Sequence, residues 1–280
     1  MVEHTCLSRM HSWVQIPYGS PIRKHKSGSR GLFIFLKEQE EMPKMYIAHR
    51  GLHNEKTLEN SLKAFAKAKN LKLPIEFDVQ LTKDNQVVVF HDQSLFRLTG
   101  IRKNVDKCTY EELRKYKLKD TDEKIPLLED VLQLINAEVF LDIEIKHYKH
   151  PLKTVKKVSE LMQKYKGEYT IKSFNPLIPY LYKKRNPYVK CGVLVGNLDN
   201  TKLPGFVKNI LLQLKYLKIY KPDFVAYNIN AINKTIIDKL NKESIPLHLY
   251  TIDNAQSLKK AQGLSDTIIF ENIKRLDKKF

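Results

Sequence analysis

The 280-residue sequence predicts a (β/α)8 barrel of the α/β class, and three observations predict it. Eight short runs rich in β-branched and aromatic residues recur between residues 46 and 270, amphipathic intervals separate them, and several runs turn abruptly polar at their C-terminal ends. Short apolar strands alternating with helices mark a parallel sheet buried on both faces, and eight of them in this length close a barrel.

The first strand is Tyr46 to His49, running into Arg50-Gly51. The spacing Leu62-Phe65-Ala66 predicts a helix leading to the second strand, Ile75 to Val79. Thr82-Lys83-Asp84-Asn85-Gln86 is turn chemistry between Glu76-to-Leu81 and Val87-to-His91, so a hairpin interrupts the alternation and its second strand lies outside the eight. That excursion returns His91 over the barrel mouth. Thr109-Tyr110-Glu111-Glu112 reads as a capping box, and Pro126-Leu127-Leu128-Glu129 starts another short helix, so the second connection carries a small hairpin and helical insertion. The other strands are Val139 to Ile145, Tyr169 to Ser173, Cys191 to Val195, Phe224 to Tyr227, Leu247 to Thr251 and Thr267 to Phe270. Val155-Val158-Leu161-Met162 and Ile232-Ile236-Ile237-Leu240 have helical spacing between them. The basic amphipathic stretch from Phe206 to Tyr220 reads as a barrel helix, with contact to a membrane surface as its alternative.

Residues 1–44, with Trp13, Pro17, Gly19, Pro21 and the basic run Arg23-Lys24-His25-Lys26, show no sustained period and stand apart from the 45–280 domain. They are expected to be a disordered extension, or to lie upstream of a natural start at Met45. The purine-rich codons that Glu40-Glu41-Met42 requires could serve as a ribosome-binding site for that start.

Composition narrows the class of function. No run approaches the roughly 18 apolar residues that cross a bilayer, and no basic segment at the N-terminus leads into an apolar core. Cys6, Cys108 and Cys191 are scattered and odd in number, which suits neither a disulfide framework nor a zinc knuckle, so a reducing, cytoplasmic setting is expected. The 49 basic residues against 31 acidic ones give a net charge of +18. Lysine is spread over nearly every helical segment and no nucleic-acid-binding signature accompanies it, so no nucleic-acid partner is expected and membrane contact is at most peripheral. The sequence sets no oligomeric state.

Glu76 and Asp78 are two apart, so both carboxylates leave the strand on one face. Asp142 and Glu144 repeat the arrangement on the next barrel strand, and Lys146 continues the parity. On the inward face, Glu76, Asp78, Glu144 and Lys146 converge. Gathered carboxylates repel and raise one another's pKa unless a cation joins them, which points to one hard divalent ion, Mg²⁺ or Ca²⁺. The plainer alternative pairs these acids with Lys146 and Arg50 as salt bridges. His49 and His91 stand beside the acids as two imidazoles for proton transfer, with Arg50 and Lys146 supplying positive charge. Such a set can cleave a phosphodiester.

His49-Arg50-Gly51, Glu59-Asn60-Ser61, Glu76-Phe77-Asp78-Val79, Thr82-Lys83-Asp84, His91-Asp92, Pro126-Leu127-Leu128-Glu129, Ile143-Glu144-Ile145-Lys146 and Ser173-Phe174-Asn175 follow one another in the order of the glycerophosphodiester phosphodiesterase family, which the sequence resembles from residue 45 to about 273. The resemblance implies a (β/α)8 barrel with a small insertion after the second strand. It implies that Glu76, Asp78 and Glu144 bind the metal, that His49 and His91 are general acid and base in either order, and that Arg50 and Lys146 contact phosphate. Glu59 and Asn60 match a family pair expected to order the first loop, a helix cap being the alternative. Asp92 is expected to orient His91, while His53, His147, His150 and His248 match no family role. The family's proline before Glu59 is Leu58 here, its hairpin glycine is Asn85, and its final segments read Tyr250-Thr251-Ile252-Asp253 and Ser265 to Asn272. These departures fall where the alcohol group would bind.

The implied reaction is hydrolysis of a small glycerophosphodiester to sn-glycerol 3-phosphate and an alcohol, by attack of water or through a cyclic phosphate. Its alternatives are lysophospholipase D-type activity and a silent barrel that only binds lipid or polyanion. The silent barrel should have lost a ligand or a base, and His49, His91, Glu76, Asp78 and Glu144 are all present.

Overall fold

A strand that is buried on both faces needs covering helices on one side and an inner core on the other, and the chain supplies both. The computed structural model describes residues 45–148, 150–196 and 203–271; the expected extension over 1–44 lies outside the described residues. Strands β1 (Met45–Ala48), β2 (Ile75–Leu81), β4 (Leu141–Ile145), β5 (Tyr169–Ser173), β6 (Lys190–Val195), β7 (Phe224–Asn228), β8 (Leu247–Ile252) and β9 (Thr267–Phe270) are all parallel neighbours. The order β1-β9-β8-β7-β6-β5-β4-β2 closes through Ala48 against Ile75. The predicted eight-stranded barrel is present.

The predicted hairpin is also present. β3 (Val87–Val89) runs antiparallel to the end of β2 and pairs with no barrel strand but β2. Asn85 in its turn has φ +65°, a left-handed conformation that asparagine tolerates well. Helices α1 (Leu62–Asn70), α2 (Phe96–Thr99), α3 (Tyr110–Leu113), α4 (Leu128–Ile135), α5 (Pro151–Met162), α6 (Leu177–Arg185), α7 (Gly205–Leu212), α8 (Leu217–Tyr220), α9 (Lys234–Lys242) and α10 (Ala255–Gln262) follow in order. Thr109 and Glu112 form the expected capping box on α3, each side chain satisfying a backbone N–H that the helix leaves free.

The outward side chains of the strands, among them Phe77, Val79, Ile143, Ile171, Val193, Val225 and Leu249, pack in one cluster with Phe65, Ala68, Val158, Tyr182 and Leu240 of the helices. A second cluster, including Val88, Phe90, Leu95, Leu98, Val105, Cys108 and Leu113, gives the insertion its own core and holds it beside the mouth. Each such side chain, fully buried, contributes about 1.5–3 kcal/mol. The inner face is divided. Leu194, Phe224 and Ala226 form an apolar cluster on one side, packed against Phe174 and Tyr250. Strands β2, β4 and β5 line the other with Glu76, Asp78, Asp142, Glu144, Thr170 and Lys172, all buried.

Candidate active site

β1 ends as His49 donates its backbone N–H to Phe270 O at 2.8 Å. The chain then turns through two left-handed residues, Arg50 at φ +54° and Gly51 at φ +79°. Gly51 is required twice over: L residues rarely adopt that φ, and a Cβ there would lie 2.8 Å from Phe65 and 3.0 Å from Ala64. The turn seats the loop on the start of α1, with Leu52 N donating to Ala64 O. Ser61, rather than Glu59 or Asn60, caps that helix by accepting from Ala64 N. The cap alternative for Glu59 and Asn60 is therefore overturned. Asn60 instead donates Nδ2 to Asp78 Oδ2 at 2.9 Å, and Arg50 donates Nη1 to Glu59 Oε1 at 2.6 Å.

The β2–β4 register sets Glu76 beside Asp142 and Asp78 beside Glu144. Oxygens of Glu76, Asp78 and Glu144 lie within 4.8 Å of one another, and all three residues are buried. Asp142 does not join them. It accepts from Thr170 Oγ1 and Lys172 Nζ, both at 2.7 Å, one step further down the strand. The salt bridges of the plainer alternative are present as well: Lys146 Nζ is 2.6 Å from Glu144 and 3.3 Å from Asp78, and Arg50 Nε is 3.4 Å from Asp78. They coexist with the carboxylate cluster and do not neutralise it evenly. Burial, with Asp78 and Glu76 adding to it, pushes the Glu144 carboxyl up against the opposing pull of Lys146. Asp78, in contrast, is held well below the usual carboxylate range: burial opposes this, but Lys146, His91 and Arg50 outweigh it.

Each histidine is held by a carboxylate of its own. His91 follows β3, its backbone carbonyl accepting from Tyr148 Oη at 3.0 Å, and its Nδ1 is 2.6 Å from Asp92 Oδ1. Asp92 is itself fixed by Arg97, which reaches Glu59 through both terminal nitrogens at 2.8 Å. A continuous polar chain thus runs from His91 through Asp92, Arg97, Glu59 and Arg50 to Asp78. Burial works against ionised Glu59, yet the hydrogen bonds and charges of Arg97 and Arg50 bring its pKa down to about 2. Across the mouth, His49 Nδ1 is 2.9 Å from Glu271 Oε2, and His49 Nε2 is 3.9 Å from Glu76 Oε2.

All ten side chains expected from sequence, Asp92 included, lie in this region, and four more join them. Lys172 sits beneath the acids, 3.2 Å from Glu76 and only 1% exposed. Its signal was strand parity, since Lys172 pairs in register with Glu144. Glu271 and His53 come from loops, and Arg97 from a four-residue helix, where no periodicity shows which way a side chain faces. His53, for which the family pattern offered no role, has Nε2 3.6 Å from Glu271.

Fold and mouth together define a hydrolytic enzyme of the (β/α)8 barrel class. Residues 49–277 match the model of the glycerophosphoryl diester phosphodiesterase family, and the chain belongs to that family. Its reaction is hydrolysis of glycerophosphodiesters, which yields sn-glycerol 3-phosphate and an alcohol. Among similar proteins, the glycerophosphodiester phosphodiesterase of Caldanaerobacter subterraneus subsp. tengcongensis is 36% identical over 236 residues, 78% of this chain and 90% of that one. Lysophospholipase D GDPD1 of Mus musculus is 36% identical over 258 residues, 79% of this chain and 81% of that one. The crystal structure of glycerophosphodiester phosphodiesterase from Thermotoga maritima superposes with a TM-score of 0.63 at 25% identity, covering 81% of this chain and 94% of that one. An Oleispira antarctica phosphodiesterase in complex with sn-glycerol-3-phosphate superposes with a TM-score of 0.70 at 20% identity, covering 84% and 95%.

Proposed function

We propose that the chain hydrolyses glycerophosphodiesters with one divalent cation, Mg²⁺ or Ca²⁺, held by Glu76, Asp78 and Glu144, and with His49 and His91 as general acid and base. The observation that carries this reading is the convergence of three buried carboxylates to within 4.8 Å, with a carboxylate-held imidazole on either side. The donor set fits a hard ion: it is all oxygen, it is buried, and three carboxylates share the pocket with Lys146, which alone among the described residues pairs closely with Glu144, at 2.6 Å. A bound divalent cation supplies charge stabilisation to the phosphoryl oxygens and acidifies an attacking hydroxyl.

The chain's own residues do the rest. One imidazole takes the proton from the nucleophile as its oxygen bonds to phosphorus. The other, protonated, gives its proton to the alkoxide as the phosphorus–oxygen bond to the alcohol breaks. Arg50 and Lys146 contact the phosphate oxygens, already positioned by Asp78, Glu59 and Glu144. The catalytic unit is the 45–280 domain. A cytoplasmic setting is supported by free, buried Cys108 and Cys191, and no helix among the described residues is long and apolar enough to cross a membrane.

A second reading, lysophospholipase D-type activity, is favoured by α7. It begins after β6, at the mouth end of the barrel, and has no buried residue; Phe206 is 70% exposed, with Leu203 and Ile210 exposed beside it. An acyl chain would find an apolar rim there. Coupled detection of glycerol 3-phosphate from glycerophosphocholine, with and without EDTA, tests the first reading. Choline release from lysophosphatidylcholine vesicles tests the second. Metal-dependent turnover of the water-soluble diester supports the proposal; no metal-dependent turnover of either substrate would favour a silent binding barrel.

A further inference from the structure

We propose that His49, His53 and Glu271 form a second metal site, separate from the three acids, that takes a borderline cation such as Zn²⁺ and thereby withdraws His49 from proton transfer. Donor atoms of the three residues lie within 4.8 Å of one another. Glu271 Oε2 is 2.9 Å from His49 Nδ1 and 3.6 Å from His53 Nε2. Tetrahedral zinc, with bonds of about 2.0–2.1 Å, sets neighbouring donors roughly 3.3 Å apart, so these separations straddle what the ion needs. His53 Nε2 is buried and makes no hydrogen bond with any described residue. At 3.6 Å from Glu271 Oε2 it stands beyond hydrogen-bond length but within the span that an ion bound by both would occupy.

The backbone fixes all three donors before any ion arrives. His49 N donates to Phe270 O, His53 N donates to Gly51 O, and Glu271 N donates to Ile252 O, at 2.8, 3.0 and 3.0 Å. The side chains are 14%, 17% and 26% exposed, which leaves a coordination position open to water and a path for entry. Two imidazoles and one carboxylate suit zinc, cobalt or copper, while the all-oxygen set of Glu76, Asp78 and Glu144 suits Mg²⁺ or Ca²⁺, so the two sites divide metals by donor chemistry.

Occupation has a chemical consequence. A neutral imidazole carries one proton. With the metal on Nδ1 of His49, that proton resides on Nε2, the nitrogen 3.9 Å from Glu76, which can then no longer accept another. This inhibitory consequence rests on the proton-transfer role proposed for His49; the binding itself does not.

The test uses the untagged full-length protein with saturating Mg²⁺, titrated with Zn²⁺ by calorimetry and with Co²⁺ by visible absorption. His53→Gln should weaken the Zn²⁺ site at least tenfold, since even outer partners of a ligand are worth about 10- to 100-fold in affinity, and should abolish the tetrahedral Co²⁺ band. His53→Cys, which keeps a ligand, should retain both. With each rate taken relative to the same protein without zinc, zinc concentrations that stop the wild type should leave the turnover of His53→Gln undiminished. Unchanged Zn²⁺ affinity in His53→Gln, one-for-one displacement of Zn²⁺ by Mg²⁺, or zinc binding without loss of turnover would each overturn the proposal. Should the Mg²⁺-loaded wild type fail to hydrolyse any glycerophosphodiester, the functional reading falls while the titrations still decide the site.

Discussion

Glu271 Oε2 lies 2.9 Å from Nδ1 of His49. A carboxylate can only accept, so this contact keeps the ring proton on Nδ1 and turns the bare Nε2 toward Glu76 and the acid cluster. The hydrogen bond from His49, with the charge of His53 beside it, holds the Glu271 carboxyl far below its ordinary range. Glu271→Gln offers an amide in place of that acceptor and releases the tautomer. The expected result is a fall in kcat of roughly 10- to 100-fold with KM little changed, read from initial rates of glycerol 3-phosphate release. A KM effect alone would mean that Glu271 binds substrate and does not position His49.

Among the described residues, Lys172 is the only cation touching both Asp142 and Glu76, at 2.7 and 3.2 Å, in a part of the barrel that water does not reach. Removing it strands two buried carboxylates. Lys172→Met is expected to cost about 3–5 kcal/mol of folding stability, measured by urea unfolding. Adding Asp142→Asn should restore much of that, because a neutral pair needs no counter-charge. Equal destabilisation by the single and double variants would show that packing, and not charge, is what Lys172 provides.

Glu144 is buried beside two like charges, Asp78 and Glu76, and its burial raises its proton affinity. Glu144→Gln keeps the volume and removes the charge. In a thermal melt, saturating Ca²⁺ or Mg²⁺ should raise the wild-type midpoint, ion at a hundred times its Kd being worth about 2.7 kcal/mol, and should leave Glu144→Gln nearly unmoved. A full shift in the variant would place the ion elsewhere.

Period-2 chemistry made the barrel and its acids legible in sequence. Strands β5 and β9 have the predicted ends, and Glu76, Asp78, Glu144 and Lys146 converge as their parity requires. β4 begins at Leu141 and not at Val139, because its ladder with β2 opens at the Ile75–Leu141 pair; Phe140 still accepts from Ile75 N at 2.9 Å as the chain enters the strand. What sequence left out depends on loops and distance. Glu271 meets His49 across 222 residues, and Arg97 meets Glu59 across 38. His53 reaches Glu271 because Arg50 and Gly51 turn left-handed just before it. No periodicity encodes any of these. Lys172 is different: its parity with Glu144 was readable, and its partner Asp142, spaced like the metal ligands, is in fact a structural acid.

His248 stands on the inner face of β8, 3% exposed, stacked on Phe224 at 4.2 Å between ring centroids, and neither ring nitrogen has a hydrogen-bond partner among the described residues. Burial drives its pKa down to about 4, Lys172 and Lys190 adding to the fall and Asp142 opposing it. The unfolded chain holds this imidazole near its ordinary 6.5, so between those values the unfolded state binds the extra proton. The stability that depends on neutral His248 is therefore complete above pH 6.5 and is lost as pH falls toward 4, by about 3 kcal/mol in all. His248→Leu removes the titrating group while leaving an apolar side chain against Phe224. Urea unfolding between pH 4 and pH 7.5 should show wild-type stability falling more steeply with acid than that of the variant, with the two slopes merging above pH 7. Parallel profiles across the whole range would mean that the imidazole is already solvated or partnered in the folded barrel.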